Sequence, residues 1–272
     1  MNAKCASHGY ALACLAAAVT ACGSADGAKS RTDDTPTTQV ARAGHSAALS
    51  GTFFGASSDG RAWLFFLDLE ARWGSLYVPP RPLELCELAM DSMRVRMKWA
   101  PGYRGVQYGF EGEVEGSELI GDLKGTAGGR DLPPINLSLR ARRVTDPPGP
   151  KDIGRSGYYS NVEAPGGELG GVDLVFIEAA EQPVALVTFN EGSDGIPLAA
   201  DQLTAAGDTL RFRIRREGRE DAFEEVFGER AVTLSSRTLG LPDQHLEKRA
   251  TLRELARLTY RPGCQDSLRI SP

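Results

Sequence analysis

Histidine and cysteine are scarce in this chain of 272 residues, which contains three histidines and five cysteines. Beyond residue 22 the only histidines are His45 and His245, and the sequence has no Cys-x-x-Cys and no His-Glu-x-x-His motif. Zinc sites are built from such clusters of ligands. We therefore expect neither a metal site nor a cofactor.

The usual sequence marks of catalysis are missing too. There is no Gly-x-Ser-x-Gly elbow, and a serine triad would have to use His245, because His45 lies in a stretch without large apolar residues. Glycoside hydrolysis needs two carboxylates at a fixed separation, but 36 acidic residues offer many pairs and the sequence selects none. We lean towards a protein that is not an enzyme.

An excess of positive charge is also absent. The chain has 31 Lys and Arg residues against 36 Asp and Glu residues, which gives a net charge of -5. Proteins that bind nucleic acids need a basic surface to neutralise phosphates. We therefore expect no nucleic-acid partner.

The apolar run near the N-terminus is short. Residues 11–18 (ALACLAAA) follow Lys4, and they fall well below the roughly 20 residues that span a bilayer as a helix. The run has the length of the apolar region of a secretory signal peptide. The residues Thr20-Ala21-Cys22 complete this segment.

Thr20-Ala21-Cys22 resembles the lipobox of bacterial lipoproteins. The resemblance implies cleavage before Cys22, a diacylglycerol on its sulfur and acylation of the new amino terminus. Gly23 after the cysteine resembles the default signal for transfer to the outer membrane. We expect a lipid-anchored protein of the cell envelope, facing the periplasm or the cell surface. The alternative is an ordinary signal peptide in which Cys22 is incidental.

Composition divides the rest of the chain. Residues 22–48 have almost no large apolar side chain, which predicts a flexible tether. Residues 145–156 contain three prolines and predict a stiff linker. The expected order along the chain is a signal peptide, a tether, a first β unit, the linker and a second β unit with the C-terminal tail, over residues 1–21, 22–48, 49–144, 145–156 and 157–272.

The two units on either side of the linker resemble each other, which predicts an internal repeat. Both begin with a glycine and an aromatic pair, and both then carry an apolar strand, a Pro-Leu pair, a strand with alternating basic residues and an acidic strand. The matched segments begin at Gly51 and Gly157, Trp63 and Val172, Pro82 and Pro197, Met93 and Leu210, and Val106 and Ala222.

Each unit contains seven or eight short strand-like runs separated by Gly, Pro, Asp or Asn. This pattern is typical of an all-β meander, barrel or sandwich. We predict two tandem antiparallel β-barrel-like units. Leu252, Leu255 and Leu258 have helical spacing and predict a short C-terminal helix on the second unit.

The number of strands, the unit length and the glycine pattern resemble the calycin group of lipocalin-like barrels over residues 50–260. The Gly-x-Trp motif of true lipocalins is missing, because Gly51 and Gly157 are followed by Thr-Phe and Tyr-Tyr. The resemblance implies the barrel fold, and the missing motif argues against the dedicated ligand pocket of true lipocalins.

Two cysteines remain after the signal segment and the predicted lipid site are set aside. Cys86 and Cys264 are an even pair in an exported protein, which favours a disulfide. Closing so long a loop contributes about 5 kcal/mol in the chain-entropy model. Two separate thiols are the alternative.

Six cations are repeated on one face of two strands and are candidates for anion binding: Arg94, Arg96, Lys98, Arg211, Arg213 and Arg215. Such rows of cations can hold phosphates or carboxylates. The alternative is a solvated face on which these residues pair with acids of the next strand. In the first unit those acids are Glu111, Glu113 and Glu115, and in the second they are Glu224, Glu225 and Glu229.

Aromatic residues divide into two groups. Trp63 and Trp99 share the parity of apolar neighbours and are expected in the core, whereas Trp73, Tyr77 and Tyr103 are candidates to stack on a sugar or a partner protein. We expect a binding or interaction module whose partner is a small hydrophobic or anionic ligand or an envelope protein. A surface hydrolase acting on glycan or lipid, and a structural spacer, are the alternatives.

Overall fold

The structure is a computed structural model, and it is described here for residues 49–79, 81–102, 105–127, 135–149, 154–164, 168–192, 195–216, 218–238, 242–258, 264 and 269–271. No helix in this part of the chain is long and apolar enough to cross a membrane.

The first half of the described chain is a closed barrel of eight antiparallel strands. Each strand pairs with the next along the chain, and β8 returns to pair with β1. The strands are β1 (Gly51–Ala56), β2 (Ala62–Asp68), β3 (Trp73–Val78), β4 (Arg81–Asp91), β5 (Arg94–Trp99), β6 (Val106–Glu115), β7 (Glu118–Ala127) and β8 (Ile135–Thr145).

The second half repeats this architecture. Eight antiparallel strands again pair in chain order, and the last strand closes on the first. They are β9 (Gly157–Ser160), β10 (Gly170–Ile177), β11 (Val184–Glu191), β12 (Leu198–Ala206), β13 (Thr209–Arg216), β14 (Arg219–Phe227), β15 (Ala231–Ser236) and β16 (Gln244–Ala250). The prediction of two tandem antiparallel barrels with a short C-terminal helix is confirmed.

The segments matched in the sequence occupy equivalent strands of the two barrels. β5 and β13 show the common pattern most clearly, since their apolar residues are buried and their cations exposed in strict alternation. Side chains of a strand point alternately to its two faces, so this pattern places one face in the barrel interior and the other in solvent.

The two barrels share a buried apolar contact and belong to one compact unit. The outer faces of β2 and β3 contribute Ala62, Leu64, Phe66 and Tyr77, and the outer faces of β10 and β11 contribute Val175, Ile177, Val184 and Leu186. β2, β10 and β11 are therefore buried on both faces over most of their length. This is why they appear in the sequence as nearly continuous apolar runs.

Backbone hydrogen bonds reinforce the contact at one corner. The amide of Ala62 donates to the carbonyl of Pro197 over 2.8 Å, and the amide of Ala199 donates to the carbonyl of Gly60 over 2.8 Å. Gly60 has φ +87°, and a Cβ atom at this position would lie 2.8 Å from the backbone oxygen of Arg215. The junction thus requires glycine both for its backbone conformation and for the close approach of the second barrel.

A short helix, α1 (Leu252–Arg257), follows the second barrel. Thr251 caps it in a capping box with Glu254, which satisfies backbone amides at the helix start. Its buried residues belong to the core shared by the two barrels, and Ser75 of β3 donates a hydrogen bond to the carbonyl of Ala256 over 2.8 Å. The helix therefore contacts both barrels, whereas the sequence placed it on the second.

The end of the chain returns to the first barrel. Strand β17 (Arg269–Ser271) pairs in parallel with β4, and Cys264 forms a disulfide with Cys86 of the same strand, with Cα atoms 5.3 Å apart. The sequence-based division assigns this tail to the second unit. The favoured disulfide between Cys86 and Cys264 already implied a link from this tail to the first unit, whereas the parallel pairing of β17 with β4 was not predicted.

Candidate ligand-binding site

The second barrel has a pocket of about 170 Å³ at one end. Its apolar walls are Val172, Phe189, Phe223 and Leu234. The polar side chains among its lining residues include Glu191, Ser236 and Gln244. The pocket lies where β10 begins and where β11 and β15 end, so it forms the mouth of the barrel.

The opposite end of this barrel is closed by Arg155. Its guanidinium lies 5.3 Å from the ring centroid of Phe227, and it donates to the carbonyl of Gly207 and to Glu178, each over 2.7 Å. The hydroxyl of Tyr159 donates to the carbonyl of Arg155 over 2.6 Å. The side chain of Arg155 and its ion pair hold the pKa of Glu178 below its usual range. The pocket lies at the other end of the barrel.

Aromatic rings and one ion pair shape the mouth. Phe189 and Phe223 lie with their ring centroids 5.9 Å apart, and Phe223 stacks on Phe212 with centroids 5.7 Å apart. The guanidinium of Arg216 lies 5.7 Å from the centroid of Phe189 and donates to Glu191 over 3.1 Å. This pairing lowers the pKa of Glu191, so the one carboxylate lining the described pocket is neutralised by a cation.

Glu225 lies on the inward face of the second barrel, next to residues that line the pocket. It is fully buried, and it points inward with Phe223 and Phe227 of the same strand. Its cross-strand partners are Leu210 of β13 and Leu234 of β15. Directly opposed residues of an antiparallel pair have Cβ atoms about 5 Å apart. Leu234 lines the pocket, so Glu225 is the strand neighbour of a pocket-lining residue.

The carboxyl of Glu225 has no hydrogen-bond partner among the described residues. Burial raises its pKa to about 8, because the apolar interior disfavours the charged form. The side chain is therefore mostly protonated at neutral pH. A buried polar group without a partner is rare in folded proteins and calls for an explanation.

Asp173 shows how a buried carboxylate is satisfied elsewhere in the same barrel. It accepts hydrogen bonds from the hydroxyl of Tyr158 over 2.6 Å and from the amide of Asn190 over 3.0 Å. Burial raises its pKa, and these hydrogen bonds lower it. Asp173 has a structural role in the wall of the barrel, and Glu225 lacks any comparable set of donors.

The interior of the first barrel holds a cluster of large buried aromatic side chains. Trp63, Phe65, Trp99 and Phe110 are buried there, and the ring of Phe65 contacts those of Trp99 and Phe110 with centroids about 6 Å apart. The expectation that Trp63 and Trp99 belong to the core is thereby met. The second barrel, with its pocket and its unpartnered carboxyl, is the better candidate for a binding site.

The six cations predicted for anion binding all lie on outer barrel faces. Four of them form ion pairs, which are Arg94 with Glu113, Lys98 with Glu87, Arg211 with Glu224 and Arg213 with Glu220. Arg96 faces Glu111, and Arg215 faces Glu220, in the strand register. A groove beside Arg94 and Arg96 also contains Asp91 and Glu111. These surfaces have mixed charge, as expected of a solvated face.

Further predictions concern residues outside the pocket. Cys22, Tyr103 and His45 lie outside the described residues. His245 is exposed on β16, and no cluster of three or more metal-ligating side chains occurs in the described part of the chain. Tyr77, considered above for stacking on a ligand, is instead fully buried between the barrels, with its ring 6.4 Å from that of Tyr158.

Placing Glu225 on the solvated face with Glu224 was wrong. In β14 the buried positions are Asp221, Phe223, Glu225 and Phe227, which alternate without interruption. The phenylalanines at 223 and 227 therefore carried the signal that Glu225 points inward. Glu224 and Glu225 are adjacent in the strand, and adjacent strand residues lie on opposite faces. Only one of these two acids could therefore lie on the solvated face.

The fold and the site together define a tandem pair of eight-stranded up-and-down barrels with a small, largely apolar pocket at the mouth of the second. No known protein family matches the chain, and no curated protein matches its sequence.

Proposed function

We propose that this protein is a non-enzymatic binding module of the bacterial cell envelope, anchored by lipid on Cys22, and that it takes a small hydrophobic ligand into the mouth of the second barrel. The observation that carries the proposal is the pocket of about 170 Å³ with Val172, Phe189, Phe223 and Leu234 as walls. Ligand sites are typically concave and apolar with a few polar groups that fix orientation.

The size of the pocket sets the size of the ligand, or of the part of it that enters. Apolar cavities of about 150 Å³ accept benzene. A ring or a short branched chain of up to about nine non-hydrogen atoms is therefore the expected occupant. The rim residues Glu191, Ser236 and Gln244 supply polar contacts for any part of the ligand that extends towards solvent.

The surface hydrolase remains the weaker proposal. It requires two carboxylates flanking a cleft, and the described lining of the pocket contains one carboxylate, Glu191, which is paired with Arg216. The exposed cations are likewise weaker candidates for the ligand site, because acids of neighbouring strands accompany them.

The proposal is tested by filling the pocket. The full chain is produced with Cys22→Ala, so that no acyl chain can be attached there, and is titrated with α-methylstyrene while NMR follows the Leu234 methyl signals. We expect saturable binding that Ser236→Phe weakens at least tenfold, because the new ring occupies the mouth.

Ser235→Phe is the matched control. Ser235 is the adjacent residue of β15 and has the opposite parity, so its ring points away from the interior. We expect it to leave the affinity for α-methylstyrene within about twofold. Equal loss in both variants, or no saturable binding to the parent protein, would contradict the proposal.

A further inference from the structure

Glu225 is close enough to the pocket to contribute to ligand recognition. Its two register partners, Leu210 and Leu234, are both buried in the apolar core of the second barrel. Leu234 and the preceding inward residue of β14, Phe223, both line the pocket. A molecule in the pocket that displaces either side chain slightly would approach the carboxyl of Glu225, which neighbours both of them.

The charged groups around this interior leave Glu225 without a counterion. Asp221 is the other inward acid of β14, and Thr238 donates to it over 3.3 Å. Two cations face the interior at the far end of the barrel: Arg155 is engaged with Glu178 and Gly207, and the ammonium of Lys248 lies 5.8 Å from the ring centroid of Tyr159. The neighbouring strands β13 and β15 present Leu210, Phe212, Val232 and Leu234 to the interior. Glu225 is thus held as an uncharged acid.

An uncharged carboxyl has an O–H donor, which an ionised carboxylate lacks. The hydrogen-bond partner that Glu225 lacks is therefore an acceptor for this O–H group. A charged ligand would bring an ion into an apolar interior at a large desolvation cost. An uncharged carbonyl or ether oxygen can accept a hydrogen bond from the carboxyl of Glu225 at a much smaller desolvation cost.

We infer that the pocket and Glu225 form one site for a small apolar molecule bearing an uncharged carbonyl or ether oxygen, to which the protonated Glu225 donates a hydrogen bond. This inference rests on the proposed function, since it names the ligand class and the recognition group of the same pocket.

The test compares two probes of nearly equal shape, acetophenone and α-methylstyrene, which differ by a carbonyl oxygen against a methylene. Both are titrated into the full chain with Cys22→Ala at pH 6. We expect acetophenone to bind about tenfold more tightly, which is the gain typical of one buried hydrogen bond. In Glu225→Leu this preference should vanish or reverse.

A pH series keeps the inference falsifiable if Glu225→Leu fails to fold. Acetophenone affinity should fall as pH rises above about 8, where Glu225 ionises, and the affinity for α-methylstyrene should change less. Glu225→Gln keeps an N–H donor that does not titrate, so the pH dependence should disappear in that variant. Glu224→Gln, on the outer face, should retain it.

The outcomes separate the two proposals. If both probes bind with equal affinity at every pH, Glu225 is not the recognition group, and the proposed function stands without it. If neither probe binds, both proposals fail together.

Discussion

At the scale of single residues, two carboxyl groups in the second barrel have opposite roles. Asp173 is buried with donors from Tyr158 and Asn190, whereas Glu225 is buried with none among the described residues. A buried group without a partner loses its hydration without compensation and lowers the free energy of unfolding. Glu225 is therefore expected to cost stability in the absence of a ligand.

This cost predicts a specific pH dependence. Because the pKa of Glu225 is raised from 4.5 to about 8 by burial, the folded state holds the proton more tightly than the unfolded state. The contribution to stability is fully present below pH 4.5 and is lost as pH rises towards 8. Glu225→Gln removes this loss, and should raise the free energy of unfolding by about 3 kcal/mol at pH 7 and hardly at all at pH 4.

Urea unfolding of the parent and of Glu225→Gln, followed between pH 4 and pH 7, measures this difference in the free energy of unfolding. The raised pKa of Asp173 contributes a slope of the same sign to both proteins and cancels in the comparison. Glu224→Gln is the control, since this neighbour lies on the outer face and its pKa is lowered by Arg211 and Arg237. If the difference in free energy of unfolding between the parent and Glu225→Gln does not grow with pH, Glu225 is not a buried, uncharged acid.

At the scale of the secondary-structure elements, some strands could be predicted from the sequence in detail. β5 and β13 have one face in the core and one in solvent, so their alternation specifies both the strand and its orientation. The contact between barrels could not be predicted this way. The continuous apolar runs of β2, β10 and β11 indicate burial on both faces, but they do not say which strands meet.

The candidate site could be predicted from the sequence only in part, because strand parity is a local pattern whereas the pocket depends on contacts between distant strands. The inward position of Glu225 follows from the parity of Phe223 and Phe227. The position of the pocket does not, because its lining residues are up to 73 positions apart in sequence, from Gly171 to Gln244. Closure of the barrel brings these strands together, and the closure depends on the pairing of β9 with β16.

Gly60 provides a test of the junction between the barrels. Gly60→Ala forces a side chain into a backbone conformation with φ +87° and against the carbonyl of Arg215. We expect a loss of about 3 kcal/mol in the free energy of unfolding, from backbone strain together with overpacking. Chemical unfolding monitored by tryptophan fluorescence is a suitable measurement.

Gly116→Ala is the matched control for backbone strain alone. Gly116 has φ +61° in the turn between β6 and β7, and nothing lies within 4 Å of a Cβ atom built there. This variant should lose about 1 kcal/mol. If the two variants lose equal amounts, the close approach at Gly60 does not stabilise the junction.

At the scale of the whole molecule, the two barrels differ although their topology is the same. The first has an aromatic core and holds the end of the chain through β17 and the disulfide of Cys86 with Cys264. The second is closed by Arg155 at one end and has the pocket at the other. This asymmetry is consistent with the proposal that the second barrel holds the ligand site.

Anchoring is the other expectation at this scale. If Cys22 carries lipid, as the resemblance to the lipobox implies, Cys22→Ala should move the protein from the membrane fraction to the soluble fraction of the cell. Mass spectrometry of the parent protein should find diacylglycerol on Cys22. An unmodified Cys22, or a variant that stays with the membrane, would contradict the anchor and leave the pocket proposal untouched.

The most direct test of the central claim, that the mouth of the second barrel is a ligand site, is the location of a bound probe. Intermolecular nuclear Overhauser effects between α-methylstyrene and the full chain with Cys22→Ala would provide it. We predict contacts from the probe to Phe189, Phe223 and Leu234, which line the pocket. Contacts confined to residues outside the second barrel, or none at saturating probe, would contradict the claim.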